Sequence, residues 1–212
     1  MNFEKLMNSK INVIADWIIR IVMINIMVIL CALPIITLYP AVVAGYNVFS
    51  DYVDRKEVRL FPAFFNHFRD HIGKKIGFGL LIIVIVYLSF TNSSYYSSIL
   101  ETSPSTFILI GYYVTLVLLA IMYAMTLYTL VVFRVFPELK LFRIIKLAFF
   151  LSGKYYYITI FLVLVNTIPV LMLFTPVTSV LFVFMGVSIP LLVHALLTQQ
   201  ARLYLAQLGA KS

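Results

Sequence analysis

The sequence predicts an all-α, polytopic membrane helical bundle with six membrane helices, of which the first two form a hairpin. Hydrophobic residues make up 63% of its 212 residues, charged residues make up 11%, and the mean hydropathy is +1.04. Soluble domains are about 45–50% apolar and about 25% charged. The runs without a charged residue are 21–50, 76–100, 102–133 and 155–201. Because about 20 apolar residues form one helical crossing, we expect a single integral membrane domain over residues 1–212.

Clusters of Lys and Arg predict the orientation of these crossings. One cluster lies within residues 55–75 and another within 134–154, whereas the connections 92–106 and 175–178 contain neither residue type. Short basic loops stay in the cytoplasm, so the two clusters are predicted inside and the two bare connections outside. The net charge of +8 then reflects membrane orientation, and we expect no nucleic-acid partner.

The first uncharged run crosses the membrane once or twice. One crossing gives five helices and leaves three basic residues outside, whereas two crossings give six helices and place all 16 Lys and Arg residues, with both termini, in the cytoplasm. We favour two crossings because the run contains a place to turn. The residues of this turn motif are Pro34, Ile35, Thr37 and Pro40. Since proline suits the first turn of a helix, we expect helices over 17–38 and 40–55, the second being short or re-entrant.

The remaining four crossings follow from the later uncharged runs. They are predicted at residues 76–91, 107–133, 155–174 and 179–201. Only four residues, 175–178, join the last two helices, so these helices must be antiparallel neighbours.

Three amphipathic segments are predicted to lie along the cytoplasmic membrane surface. They begin at residues 3, 61 and 140, and each has apolar residues at helical spacing beside polar or basic ones. The interfacial residues singled out are Phe61, Phe64, Phe65, Phe68, Arg143 and Lys146. Basic amphipathic helices place aromatic edges in the acyl boundary and cations near anionic lipids. Packing against the protein's own helix ends and binding of a cytosolic partner remain alternatives.

Polar side chains within the predicted crossings form the candidate site. They are Asn25, Asn47, Asn166 and His194. Such groups line a small polar cavity or hydrogen-bond between helices, and His194 has the further alternatives of a proton relay or a ligand contact. His67 and His71 lack a third metal ligand, and no nucleophile, base and acid come together in a recognisable pattern. We therefore expect no catalytic residue, no cofactor and no metal, and a protein that is not an enzyme.

Several motifs resemble the YesL family of bacterial integral membrane proteins. They are Leu33-Pro34-Ile35-Ile36-Thr37 before Pro40, then Phe61-Pro62-Ala63-Phe64-Phe65-Asn66-His67-Phe68, and Phe136-Pro137. The family has no established molecular activity, and its genes tend to accompany carbohydrate-uptake systems and sugar-responsive regulators. The resemblance implies a multi-pass protein of the bacterial plasma membrane with an accessory role in carbohydrate use.

These observations predict a non-enzymatic accessory component of carbohydrate or oligosaccharide uptake or sensing. The expected partners are the lipid bilayer, anionic lipids at its cytoplasmic face, and a carbohydrate transport or sensor protein in the same membrane. The alternative is a small membrane transporter or channel-like carrier that uses the polar residues of the candidate site.

Overall fold

The protein is built from helices. The computed structural model describes residues 3–102 and 105–210, with side chains for 11–101 and 105–210. The chain is 88% helix, and no strand occurs in those described ranges, so the predicted all-α class is confirmed. In chain order the helices are α1 (Phe3–Ala32), a 3-10 turn (Ile35–Thr37), α2 (Leu38–Val53), α3 (Leu60–Arg69), α4 (Ile72–Thr102), α5 (Thr106–Val135), α6 (Leu141–Lys154), α7 (Tyr156–Met172), α8 (Pro176–Leu181), a π-helical turn (Phe182–Gly186), α9 (Ser188–Leu197) and α10 (Gln199–Gly209).

Three helical segments are long and apolar enough to cross a membrane by themselves: Ile11–Ala32, Ile72–Glu101 and Thr106–Val135. Two bent helix pairs bring the number of candidate crossings in the described residues to as many as five. One pair is α6 with α7, which meet at 103°, and the other is α8 and its π-helical turn with α9, which meet at 50°. The protein is therefore a multi-pass membrane protein.

The first membrane helix is longer than predicted. The sequence placed its start near residue 17, after a separate surface segment, whereas α1 runs without a break from Phe3 to Ala32. No proline or glycine occurs between these residues, so nothing interrupts the hydrogen-bond ladder. Ile14 and Ile18 of the predicted surface segment are exposed; Phe3, Leu6 and Met7 lie outside the residues whose side chains are described.

The chain turns between α1 and α2 at the proline-containing motif. The Thr37 hydroxyl donates hydrogen bonds to the carbonyl oxygens of Cys31 at 2.6 Å and Pro34 at 2.8 Å. The first of these bonds occupies a carbonyl in the last turn of α1, where carbonyls lack helical partners. Pro40 is the third residue of α2, where a missing N–H costs little.

The chain forms two compact units. The first consists of Met1–Asp70 and Leu164–Gln199, and its centre is α2, which is buried on nearly every side. Gly45 of α2 is the point of closest approach, because a Cβ there would lie 2.8 Å from Val28 Cγ2 on α1 and 3.0 Å from Leu191 Cδ1 on α9. Close packing of α1 and α9 on α2 therefore depends on a residue without a side chain.

The second unit consists of His71–Val163 and Gln200–Ser212, and its main elements are the long helices α4 and α5. The sequence placed an external connection at residues 92–106, but α4 continues as a helix to Thr102. The hydroxyls of Thr91, Ser97 and Ser98 donate to carbonyl oxygens three or four residues earlier. These hydroxyls are thus satisfied within the helix and do not end it.

The last predicted crossing, residues 179–201, is not one continuous helix. It is divided into α8, the π-helical turn, α9 and the start of α10. Pro190 has no N–H to donate back to residue 186, and the Phe182 ring lies so close to Gly186 that a Cβ there would be 2.4 Å from Phe182 Cδ2. A regular α-helix is thereby interrupted at this point.

Candidate functional site

A buried polar stripe on α2 is the centre of the candidate site in the first unit. It consists of Tyr46, Asn47, Ser50 and Asp51, which share one side of the helix and are 0–4% exposed. No hydrogen-bond partner of Asn47 Oδ1 or Ser50 Oγ is found among the described residues. Buried polar atoms of this kind cost free energy unless a partner reaches them, so the stripe is a chemically distinctive part of an otherwise apolar core.

The Tyr46 end of the polar stripe contacts α9. The Tyr46 hydroxyl lies 2.8 Å from Thr198 Oγ1, which donates to the His194 carbonyl oxygen at 2.7 Å. The Tyr46 and His194 rings pack edge to face, 5.1 Å between centroids, and His194 is 0% exposed. The predicted site residue His194 is thus held against α2.

The Asp51 end of the polar stripe contacts α3. Asp51 Oδ2 lies 2.7 Å from His67 Nε2, and Asp51 Oδ1 lies 3.5 Å from Lys56 Nζ. Asp51 is only 4% exposed, so its carboxylate needs such partners. These contacts join α3 and the α2–α3 connection to the end of α2.

Asn25 has a different set of partners. Its Nδ2 donates to the carbonyl oxygens of Phe182 at 2.9 Å and Val183 at 2.7 Å, and its Oδ1 accepts from the backbone N–H groups of Val187 at 2.9 Å and Ser188 at 2.8 Å. One carboxamide therefore satisfies four backbone groups where the last crossing is broken. This is the interhelical hydrogen-bonding alternative that the sequence left open.

The four predicted polar residues thus have separate surroundings. Asn47 follows Tyr46 in the sequence, and the His194 ring packs against the Tyr46 ring. Asn25 instead bonds the π-helical turn. Asn166 is half-buried on α7. A cavity of about 560 Å³ in the same unit is lined by apolar side chains from α1, α2, α7 and the π-helical turn. None of the four polar residues lines that cavity.

His67 and His71 do not share a helix face. Helix α3 ends at Arg69, and His71 has a φ of 48°, a left-handed conformation that interrupts the helix. His71 Nε2 lies 2.8 Å from Glu138 Oε1 in the second unit, whereas His67 pairs with Asp51. In the ranges that the structure describes, no group of three or more His, Cys, Asp or Glu side chains is placed to hold a metal ion.

The predicted interfacial residues divide into packing and exposed positions. Phe64 is fully buried, whereas Phe61 and Phe65 on the same helix are 50% and 42% exposed, and Phe68 is half-buried. On α6, Arg143 and Lys146 are exposed. Each helix therefore has one face packed on its neighbour, as in the packing alternative, and another face that is exposed.

One known family matches part of the sequence. Residues 21–93 match the model of a family described as a protein of unknown function, DUF624. The matched segment is 73 of the 212 residues, about a third of the chain. Proteins of the YesL family carry this domain, so the match is consistent with the resemblance that the sequence motifs show. No curated protein and no solved structure matches the chain.

The DUF624 segment includes much of the candidate site. It begins within α1 and ends within α4, and it contains Asn25, the turn motif, the polar stripe and His67. Asn166 and His194 lie beyond it. The segment that matches the family model is therefore also the segment that supplies the Asp51–His67 pair.

Sequence analysis missed Tyr46, Ser50, Asp51 and Thr198. Asp51 lies near the end of the predicted 40–55 helix, where a charged residue is not conspicuous, yet it is almost fully buried. The spacing of residues 47, 50 and 51, which share a helix face, is the signal that could have found the stripe. The contact of Tyr46 with Thr198 joins residues 152 positions apart, and no local pattern indicates it.

Proposed function

We propose that this protein is a non-enzymatic accessory component of carbohydrate or oligosaccharide uptake or sensing in the bacterial plasma membrane. It acts by contacting another membrane protein. It crosses the membrane six times as one membrane domain, with both termini and the basic helices α3 and α6 in the cytoplasm, where they meet anionic lipids. The resemblance to the YesL family, with which the DUF624 match over residues 21–93 is consistent, supports the carbohydrate part of this proposal.

The observation on which the partner contact rests is the exposure of the α4–α5 hairpin. Only 11% of the most apolar stretch of α4 is buried within the chain. At 1.5 Å per residue, the 31-residue α4 is about 46 Å long, against about 30 Å for the hydrocarbon core. The hairpin therefore offers a long apolar surface within the bilayer and a polar, tyrosine-containing end beyond it, which a second membrane protein can contact.

The proposed six crossings require α2 to return through the membrane. With 16 residues, α2 is about 24 Å long, slightly shorter than the hydrocarbon core. The exposed Arg55 and Lys56 at its end can extend to the headgroups, and local thinning accommodates the remainder. The burial of α2 within its unit also shields its polar stripe from lipid.

Site-specific photo-cross-linking in cells tests the partner contact. A photoreactive phenylalanine analogue at position 90, which is 72% exposed on α4, is expected to give a covalent adduct with one defined membrane protein. The matched control is position 174, a phenylalanine 78% exposed in the other unit, where no such adduct is expected. Deletion of the gene is expected to lower oligosaccharide uptake at least about twofold; recovery of the protein alone with unchanged uptake would contradict the proposal.

The broken last helix favours a second candidate, a small transporter or channel-like carrier. Discontinuous helices in transporters place polar groups at a binding site. Here Asn25 bonds the backbone at the break, and among the described residues Asn47 Oδ1 and Ser50 Oγ have no hydrogen-bond partner. Purified protein in liposomes would then conduct a sugar or ion flux that His194→Ala abolishes and His71→Ala preserves. Liposomes with no flux above those lacking protein would exclude this candidate.

A further inference from the structure

A groove in the second unit combines an apolar floor with a basic rim. It has a volume of about 550 Å³ and lies between α6, α10 and the connection that precedes α6. Its floor is formed by Phe136, Leu139, Leu147, Phe150, Leu205, Leu208 and Gly209. Its rim includes Arg143 and Lys146, which lie three residues apart on one face of α6.

The charged residues that line this groove are all positive. Both rim residues are cations, and no carboxylate is among the residues that line it. The acidic residue nearest in sequence, Glu138, contacts other side chains, with Oε1 2.8 Å from His71 Nε2 and Oε2 3.8 Å from Lys74 Nζ. The rim is therefore complementary to an anion.

The helix that supplies the rim is oriented to meet a membrane surface. The axes of α6 and α7 differ by 103°, so if α7 crosses the bilayer, α6 runs nearly parallel to the membrane plane. Ile144, Ala148 and Leu151 on one face of α6 are buried, and Arg143 and Lys146 lie on another. A groove in this position has its cations at headgroup level and its apolar floor at the acyl boundary.

We propose that this groove binds one anionic phospholipid, with its phosphate between Arg143 and Lys146 and an acyl chain on the Leu147, Phe150 and Leu208 side of the floor. This inference rests on the cytoplasmic placement of α6 in the proposed function. It adds a defined lipid site to what is otherwise a general attraction between basic helices and an anionic leaflet. An acidic amphipathic peptide is the rival occupant, and it differs from a lipid in needing no phosphate.

Native mass spectrometry of the full chain in detergent tests the site. Dioleoyl phosphatidylglycerol and dioleoyl phosphatidylcholine, which have the same chains, are added at equal concentration. We expect one retained phosphatidylglycerol, with an affinity at least about tenfold above that for phosphatidylcholine, given the contribution of each cation to anionic lipid binding. Arg143→Gln/Lys146→Gln is expected to weaken phosphatidylglycerol binding about thirtyfold, and Lys146→Arg to retain it.

The matched control removes the same charge elsewhere. Arg59 and Arg69 are exposed cations in the first unit, and Arg59→Gln/Arg69→Gln is expected to leave lipid retention within about threefold of the original. Leu208→Asn, at a partly exposed floor position, is expected to weaken retention without a change of charge. Glycerol 3-phosphate at the lipid's concentration is expected to displace nothing.

Three results would overturn the site. They are equal binding of the two lipids, equal loss in the groove and control variants, and displacement by glycerol 3-phosphate alone. These results do not depend on a partner protein or on sugar uptake, so a failed cross-linking experiment would leave the lipid site intact. Conversely, loss of lipid retention would not contradict the partner contact, which is tested by cross-linking.

Discussion

Asn25 makes four hydrogen bonds to backbone groups of a segment distant in sequence. Its carboxamide bonds four backbone groups around the π-helical turn, a region where α8 and α9 cannot form a continuous helix. In a membrane interior no water replaces such bonds. Asn25 therefore stabilises the bend as well as joining α1 to it.

We expect Asn25→Ala to lower the free energy of unfolding by about 2–4 kcal/mol, because four backbone groups lose their partners. Thermal unfolding of the detergent-purified protein, followed by tyrosine and tryptophan fluorescence, measures this loss. Asn92→Ala is the matched control, because Asn92 is exposed and its Nδ2 donates a hydrogen bond to Thr115 Oγ1 at 3.1 Å. Equal changes for the two variants would mean that the bonds at the break do not contribute to stability.

At the scale of elements, α3 packs on α2 and contributes one buried aromatic side chain and one histidine–carboxylate contact. Phe64 is fully buried beneath the helix, and His67 pairs with Asp51 of α2. Phe61 and Phe65 project away from this contact and are about half exposed. The helix thus has two apolar faces, one packed on α2 and one exposed.

We expect Phe64→Ala to destabilise the protein by about 3–5 kcal/mol, because it removes a fully buried ring and leaves a cavity. Phe65→Ala, at the next position of the same helix, is expected to change stability by less than about 0.5 kcal/mol, because its ring is already exposed. Thermal unfolding in detergent compares the two. If Phe65→Ala proves as costly as Phe64→Ala, then α3 packs through a different face.

At the scale of the whole molecule, the exposed apolar surface requires a membrane. Tyr87, Phe90 and Phe107 on α4 and α5 are 68–84% exposed, and an apolar surface of this extent is not found on soluble monomers. The basic residues then decide which side of the membrane each connection occupies. Orientation is therefore a property of the chain as a whole, tested by which positions a reagent can reach.

Cysteine labelling of intact cells is expected to reach position 93 but not positions 56 or 5. Cys31→Ser removes the native cysteine, and Ser93→Cys, Lys56→Cys and Lys5→Cys are then introduced separately. A membrane-impermeant maleimide should label only Ser93→Cys, because the connection near it has no Lys or Arg. Labelling of all three variants after cell lysis is the control for reactivity; labelling of Lys5→Cys in intact cells would reduce the crossings to five.

The candidate site was only partly predictable from the sequence. Asn25, Asn47 and His194 were recognisable because a polar residue in an apolar run is conspicuous and costly. Asp51 and Tyr46 were not, because their roles depend on His67 and Thr198, which no periodicity connects to them. Burial of Asp51 in particular is a consequence of α3 folding back over the end of α2.

The sequence by itself determined that this is a helical, multi-pass membrane protein, and its proline-containing turn and family motifs could be located without a structure. Those properties follow from composition, hydrophobic run length and local backbone preference, which neighbouring residues set. Only the tertiary structure decided where helices end, where the last crossing breaks and which polar groups meet. Each of these depends on contacts such as Asn25 with Val187, where a distant side chain satisfies backbone groups that the local sequence leaves without partners.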